Sequence, residues 1–180
     1  DTDLWLLDLP ALTAAPDFPG LEAPRDEAWG LVGAWRGTDP DAPTLVLNGH
    51  IDVVPVGDLT AWSHGPWSGA VEDGRVHGRG ACDMKGGLAC QVMALEVLRE
   101  AGVRLRGSVL LESVVGEEDG GLGTFATIRR GYRGDLAVVC EPTSMDLVTA
   151  CAGALTFRLV VPGRSAHASE CNVGTGSRSI

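Results

Sequence analysis

The stretch of sequence that decides the fold runs from residue 49 to residue 87. It begins with Gly49-His50-Ile51-Asp52-Val53-Val54-Pro55 and ends with Gly78-Arg79-Gly80-Ala81-Cys82-Asp83-Met84-Lys85-Gly86-Gly87. One apolar run precedes this stretch, another follows it, and its middle is rich in tryptophan and glycine. In α/β proteins, ligand sites lie on such turns beyond the ends of strands. The stretch therefore predicts a functional site that includes His50, Asp52 and Asp83.

Composition and charge limit the class of protein. The chain of 180 residues is 44% hydrophobic and 21% charged, which is typical of a globular protein. Its formal net charge is −10 and it has no basic run, so we expect no nucleic acid partner. No apolar run approaches the roughly 20 residues of a membrane-spanning helix, so we expect no membrane partner.

The cysteines indicate the redox environment. They lie at positions 82, 90, 140, 151 and 171, are odd in number and form no Cys-x-x-Cys pair. This pattern argues against disulfides and thiolate zinc sites. We expect reduced, mostly buried thiols in a cytoplasmic protein.

Hydrophobic periodicity predicts alternating strands and helices. Strands are predicted at 29–35, 44–47, 108–115 and 136–140, helices at 85–101 and 122–130, and a hairpin at 71–76. The last two strands are continuous apolar runs, typical of strands buried on both faces, whereas residues 1–27 indicate a loop with at most one short element. The order of elements predicts an α/β fold, a layered domain with a mostly parallel sheet flanked by helices.

A change in sequence pattern near residue 150 indicates a domain boundary. We assign residues 1–152 to the layered domain and residues 153–180 to the start of a smaller α+β domain, which opens with a predicted strand at 154–161. The chain begins at Asp1 rather than at a methionine, and it stops at Ile180 soon after this new unit begins. We therefore expect a fragment of a longer protein.

One histidine and five carboxylates follow the predicted strands or precede a predicted helix. They are His50 and Asp52 after the strand at 44–47, Asp83 before the helix at 85–101, Glu117 and Glu118 after the strand at 108–115, and Glu141 after the strand at 136–140. The ends of parallel strands meet at one edge of a sheet, so we expect these side chains to converge. Each residue alone has a simpler interpretation, such as a surface pair, an acidic turn, a strand end or a helix cap. Only the joint pattern favours a site.

Converging carboxylates repel one another and raise each other's pKa unless cations lie among them. Imidazole with carboxylates suits zinc, cobalt or manganese, whereas an all-oxygen set favours magnesium or calcium. A carboxylate between two ions, as Asp83 could be, makes a two-metal site. We expect Glu117 and Glu118 to divide the roles of base and ligand, since neighbouring side chains on an extended segment point apart.

Several motifs carry a resemblance to a known superfamily. They are Asn48-Gly49-His50-Ile51-Asp52-Val53-Val54-Pro55, Gly78-Arg79-Gly80-Ala81-Cys82-Asp83-Met84-Lys85-Gly86-Gly87, Gly116-Glu117-Glu118-Asp119-Gly120-Gly121, Glu141-Pro142-Thr143 and, more loosely, residues 163–169. In this order they resemble the signatures of the dinuclear zinc metallopeptidase and deacylase superfamily that includes acetylornithine deacetylase, succinyl-diaminopimelate desuccinylase, aminoacylase and glutamate carboxypeptidase. The deacetylase/desuccinylase branch is the most similar.

The resemblance implies a hydrolase that cleaves an amide bond of an N-acyl amino acid or small peptide with metal-activated water. Two divalent ions, zinc or alternatively cobalt or manganese, would be held by His50, Glu141, Glu118 and a bridging Asp83. Asp52 would orient His50, and Glu117 would act as the base. The Asp83–Met84 peptide bond would be cis. A homodimer would form through the second domain, whose His167 would contact the substrate of the partner subunit.

The sequence departs from the superfamily pattern at the second metal. That ion needs a further histidine, nothing after His167 supplies one, and His64 and His77 do not match its position. An incomplete, inactive chain that keeps the fold and part of the metal site therefore stays an alternative. A dipeptidase or carboxypeptidase of the same superfamily is another.

Two unrelated functions fit poorly. Gly78-x-Gly80-x-x-Asp83 lacks the last glycine of a dinucleotide-binding fingerprint, and no phosphate-binding Gly-Lys-Ser/Thr is present. Gly163-Arg164-Ser165-Ala166-His167 lacks the final glycine of a serine hydrolase elbow.

Overall fold

The computed structural model describes residues 1–150 together with Gly153, Val160, Arg164–Ser165 and Gly176–Ser177. Two compact units, Asp1–Asp146 and Leu147–Ile180, divide the chain and are described separately. The predicted boundary between residues 152 and 153 stays a prediction. His167 and nearly all of the predicted strand at 154–161 lie outside the described residues.

Strands and helices of the first unit follow the predicted order, with two additions near the N-terminus. In chain order they are β1 (Thr2–Leu6), α1 (Leu9–Thr13), β2 (Trp29–Trp35), β3 (Leu45–His50), β4 (Ala70–Glu72), β5 (Arg75–His77), α2 (Gly86–Glu100), β6 (Val109–Val114), α3 (Leu122–Arg130) and β7 (Leu136–Val139). A short 3-10 helix at Leu59–Ala61 and a turn at Ala81–Lys85 complete the list. Among the described helices, none is both long and apolar enough to cross a bilayer.

The central sheet has the strand order β1-β2-β6-β3-β7. Strand β3 pairs in parallel with β6 and β7, whereas β1–β2 and β2–β6 are antiparallel. The α/β fold is thus confirmed, but the sheet is mixed rather than mostly parallel. The difference arises because β2 runs antiparallel to β6 and because residues 2–6 add a further antiparallel strand. The sequence predicts a loop with at most one short element for residues 1–27, and the structure has two elements there, β1 and α1. A run of five residues with half-exposed side chains gives too weak a periodic signal to be recognised.

Helices α2 and α3 cover opposite faces of the sheet. On β6, Glu112 contacts Thr127 of α3, while the adjacent Leu111 lines the same cavity as Val92 and Leu95 of α2. Successive strand residues point to opposite faces, so the two helices lie on different sides. On the α3 side, two small clusters form the core. Their buried members are Val32, Val46 and Leu110 in one cluster and Leu7, Ala28, Leu122 and Ala126 in the other.

Two burial predictions are wrong. All four residues of β7 are exposed, and β7 lies at the edge of the described sheet, where it pairs with β3. Cys82 and Cys90 are also exposed, and Cys140 is half-buried. The three cysteines in the described part of the chain are free, as predicted.

The described part of the second unit is small. Strands β8 (Arg164–Ser165) and β9 (Gly176–Ser177) pair in parallel.

Candidate metal centre

His50 is the last residue of β3, and its side chain is almost fully buried, with 1% exposed. Its Nδ1 lies 3.0 Å from the main-chain carbonyl oxygen of Asp52. A carbonyl oxygen only accepts hydrogen bonds, so Nδ1 carries a proton, and whenever the ring is neutral Nε2 presents a lone pair. That Nε2 atom faces the carboxylates of the site.

Asp83 reaches His50 from the turn before α2. Its Oδ1 lies 3.0 Å from His50 Nε2, and the Asp83–Met84 peptide bond is cis, as the resemblance implies. Met84 is completely buried.

Gly80 has a φ of +78°, and a Cβ there would lie 2.6 Å from a methyl group of Val53. Glycine is therefore required both for the left-handed backbone and for the close approach to the segment after β3.

Glu117 and Glu118 lie in a turn, not on the extended segment expected from the sequence. Residues 117–120 form a hydrogen-bonded turn that Gly120 N closes onto Glu117 O at 3.2 Å. Asp52 holds this turn, because Oδ1 accepts a hydrogen bond from Glu117 N (3.2 Å) and Oδ2 accepts one from Glu118 N (3.1 Å). The carboxylate of Asp52 thus positions the two glutamates, while its carbonyl oxygen orients His50.

Asp119, the third acid of this run, points away from the site. It forms a partly buried ion pair with Arg25 and accepts a hydrogen bond from Ala23 N at 3.2 Å. This contact fixes the N-terminal loop against the turn. It accounts for Asp119 structurally and leaves Glu117 and Glu118 for the site.

The end of β7 supplies Glu141, whose Oε1 lies 3.8 Å from His50 Nε2, while Glu117 Oε2 lies at 4.0 Å from the same atom. The start of α2 approaches this strand end through Gly87, where a Cβ would lie 2.8 Å from Cys140 Cβ and closer still to the Cys140 carbonyl oxygen. The predicted convergence of the six side chains is therefore confirmed. His167 lies outside the described residues.

The site concentrates negative charge around one imidazole. Burial lowers the pKa of His50, but the Asp83 hydrogen bond, the Asp52 carbonyl and the charges of Asp52 and Glu141 outweigh it, so the pKa is raised. Burial also raises the pKa of Glu117 and of Glu141, and neighbouring carboxylates raise both further while His50 opposes the shift. These shifts show that the site favours added positive charge.

The residues fit divalent cations. Donor atoms lie within 4.8 Å of one another in two overlapping groups of the described chain, His50 with Glu117 and Glu141, and His50 with Asp83 and Glu118. A histidine whose Nδ1 proton is engaged by a carbonyl has no second proton for Asp83 unless it becomes charged. A cation between Nε2 of His50 and the surrounding carboxylates would bind the lone pairs of all these groups at once. One imidazole with several carboxylates is a donor set typical of zinc, cobalt or manganese.

A buried polar network lies beneath the site, and its acid, Glu112, is absent from our sequence prediction. Glu112 is only 3% exposed and accepts hydrogen bonds from Asn48 Nδ2 (2.8 Å) and Thr127 Oγ1 (3.3 Å). Gln91 of α2 donates to the Asn48 carbonyl oxygen at 3.1 Å. The network fixes the residues just before His50 to both helices. The sequence contained one signal of this network, since Glu112 is the single charged residue in the apolar run at 108–115.

Substitution of Glu112 tests this network through pH. Burial raises the pKa of Glu112, although the bonds from Asn48 and Thr127 lower it. Because the folded pKa lies above the unfolded one, Glu112 contributes stability at low pH that is lost as pH rises through the folded pKa. Glu112→Gln does not titrate and keeps an acceptor for Asn48. As the pH is raised from about 4 to about 8, the melting temperature of the variant, measured in chelator, should therefore rise relative to that of the wild type. A difference that stays constant would contradict this expectation.

Comparison with known proteins identifies the family. The model of "Peptidase family M20/M25/M40" matches residues 46–173. The chain is 42% identical over 118 residues to N-formyl-4-amino-5-aminomethyl-2-methylpyrimidine deformylase of Bacillus subtilis, covering 65% of this chain and 28% of that protein. It is 42% identical over 164 residues to succinyl-diaminopimelate desuccinylase of Methylibium petroleiphilum, covering 84% of this chain and 42% of that protein.

A solved structure supports the fold. The M20 family metallo-carboxypeptidase Sso-CP2 from Sulfolobus solfataricus matches with a TM-score of 0.56 at 24% identity, over 67% of this chain and 28% of that chain. The chain therefore matches less than half the length of each of these relatives. The family match covers most of the sequence and includes His50, Asp83, Glu117, Glu118 and Glu141. The chain belongs to peptidase family M20/M25/M40.

Proposed function

We propose that this chain carries most of the catalytic residues of a metal-dependent hydrolase that cleaves the amide bond of an N-acyl amino acid or small peptide. The observation that supports this most is the convergence of His50 with carboxylates from two further strand ends and from the Asp83 turn, with donor atoms within 4.8 Å. The curated relatives are named a deformylase and a desuccinylase. These names favour removal of an acyl group from nitrogen over cleavage of a dipeptide.

In this proposal two divalent ions bind, zinc being the first choice and cobalt or manganese the alternatives. His50 and Glu141 would hold one ion and Glu118 the other, and Asp83 would serve both. When bound, such ions polarise the carbonyl of the substrate and lower the pKa of water. The second ion needs a further ligand, which the described residues near Glu118 do not provide.

Glu117 is assigned the role of general base. It lies at the rim of the donor set, 4.0 Å from His50 Nε2, and its side chain is about half exposed, at 48%. A carboxylate that is held near the ions but open to solvent can take a proton from the attacking water and deliver it to the leaving amine. Burial raises the pKa of Glu117 toward neutral pH. A carboxyl group with a pKa shifted in this direction is better suited both to accept the proton and to release it.

Asp52 is assigned the role of a positioning residue. Its carbonyl oxygen fixes the tautomer of His50, and its carboxylate accepts hydrogen bonds from the amides of Glu117 and Glu118. One residue thus sets the direction of a metal ligand and the place of the base. Contacts of this kind are worth about 10–100-fold in metal affinity or activity.

Metal removal tests the proposed function. We expect the protein at full length, purified without chelator, to contain two divalent ions per chain and to hydrolyse at least one of a panel of N-formyl, N-acetyl and N-succinyl amino acids. Chelation should abolish the activity, and added Zn²⁺, Co²⁺ or Mn²⁺ should restore it. Circular dichroism before and after chelation controls for unfolding. Activity that survives complete removal of metal, shown by elemental analysis, would overturn the proposal.

The family resemblance also supports a cytoplasmic homodimer, in which His167 contacts the substrate carbonyl bound by the partner subunit. Sedimentation of the full-length protein measures the oligomeric state. A monomer that retains full activity would contradict the role assigned to His167.

A further inference from the structure

A second cluster of metal-ligating side chains lies on the connection between β3 and α2, apart from the residues of the proposed active site. It consists of His64, Glu72 and His77, whose donor atoms lie within 4.8 Å of one another. His64 Nε2 is 3.0 Å from Glu72 Oε2, and the rings of His64 and His77 are 4.3 Å apart between centroids. We refer to these three residues as the hairpin cluster.

The β4–β5 hairpin explains why Glu72 and His77 meet. Ala70 pairs with His77 and Glu72 pairs with Arg75, so Glu72 and His77 are diagonal neighbours on the same face of the hairpin. The other face carries the exposed pair Val71 and Val76. His64 approaches from the preceding loop and completes the cluster from a separate part of the backbone.

A simple ion pair accounts for only part of this arrangement. The ion pair with Glu72 involves only the imidazole of His64. The imidazole of His77 nevertheless lies against that of His64. Within the described part of the chain, the ion pair of Glu72 is with His64 and not with Arg75, its cross-strand partner. The side chains of His64 and Glu72 are 29% and 63% exposed, which leaves the cluster open to an ion from solvent.

We propose that the hairpin cluster is a binding site for a zinc-type divalent cation, separate from the proposed active site. Two histidines and one carboxylate are a ligand set that binds zinc with one further position for water. The bound ion would join the loop at residue 64 to both strands of the hairpin. Since the hairpin leads directly into the turn that carries Asp83, the ion would stiffen the connection on which that turn depends.

The imidazole signals of the protein test this site directly. Two-dimensional NMR of the full-length protein follows the imidazole signals while Zn²⁺ is added to the metal-free form, with His64→Gln, His77→Gln and His50→Gln used to assign the signals of these three residues. We expect the signals of His64 and His77 to shift together in a single binding event that is distinct from that of His50. Each of the two glutamine variants should abolish the shift of the remaining histidine.

Glu72→Gln should weaken this event by about tenfold or more, since loss of even an outer partner costs about that much. Glu96→Gln, the same change on the exposed surface of α2, is the matched control and should leave the event unchanged. The proposal is overturned if the signals of His64 and His77 stay at their metal-free positions when added Zn²⁺ has shifted the signal of His50 to its end point. Shifts that are independent of each other, or equal affinity in Glu72→Gln, would overturn it as well.

Discussion

Glu117→Gln is expected to lower kcat/KM by about 10²–10⁴-fold while the protein keeps its metal content and its fold. The amide of glutamine has nearly the shape of the carboxylate but cannot take a proton from water at neutral pH. The backbone amide of residue 117 still donates to Asp52, so the turn should stay in place. Steady-state kinetics on the best substrate and elemental analysis of the same sample measure the two effects.

Glu118→Gln is the matched control, because it makes the same change one residue later in the same turn. We propose Glu118 as a metal ligand, in reach of one ion together with His50 and Asp83, so this variant should lose affinity for metal. Its activity should recover in part when the metal concentration is raised, whereas that of Glu117→Gln should not. If Glu117→Gln hydrolyses substrate at the wild-type rate, Glu117 is not the base.

Gly87→Ala is expected to damage both stability and activity. In an ordinary helix, alanine in place of glycine stabilises by up to about 1 kcal/mol. Here the added Cβ would meet Cys140, 2.8 Å from its Cβ and closer to its carbonyl oxygen. A main-chain carbonyl does not move aside as a flexible side chain would, so the start of α2 must separate from the end of β7. We expect a loss of about 1–3 kcal/mol in the free energy of unfolding.

The same displacement would separate Asp83, just before α2, from Glu141, just after Cys140. A shift of about 1 Å at such a site can cost about 10²-fold in rate. Gly65→Ala is the control, because a Cβ added at Gly65 would have nothing within 4 Å and the backbone there has no positive φ. Denaturant unfolding and kcat/KM are measured for both variants. Equal results for Gly87→Ala and Gly65→Ala would show that the close approach at Gly87 has no such role.

The sequence predicts the location of the site better than the form of its parts. Strands β6 and β7 end close to the predicted ends of their apolar runs, whereas β3 continues beyond its predicted end at residue 47 and includes His50. Helix α3 matches its predicted bounds at Leu122–Arg130, since glycines flank it on both sides. The site follows because parallel strands bring their carboxyl ends to one edge.

The remaining features depend on contacts distant in sequence. Strand β1 owes its existence to pairing with β2, and its own residues carry little periodic signal. The turn at Glu117 forms because Asp52, far earlier in the chain, accepts its two amide protons. Glu112 is buried inside an apolar strand because Asn48 and Thr127 satisfy it. The local conformational preference of a segment carries no information about partners that are distant in sequence.

The strand order has a consequence for synthesis on the ribosome. Strand β3 lies between β6 and β7, and both of these partners follow it in the chain. The apolar segment that ends in His50 must therefore wait for about 60 further residues before β6 begins. At ~5–20 residues per second this delay is about 3–12 s. During that time β3 has both edges unpaired, so the nascent chain passes through a period in which aggregation competes with folding.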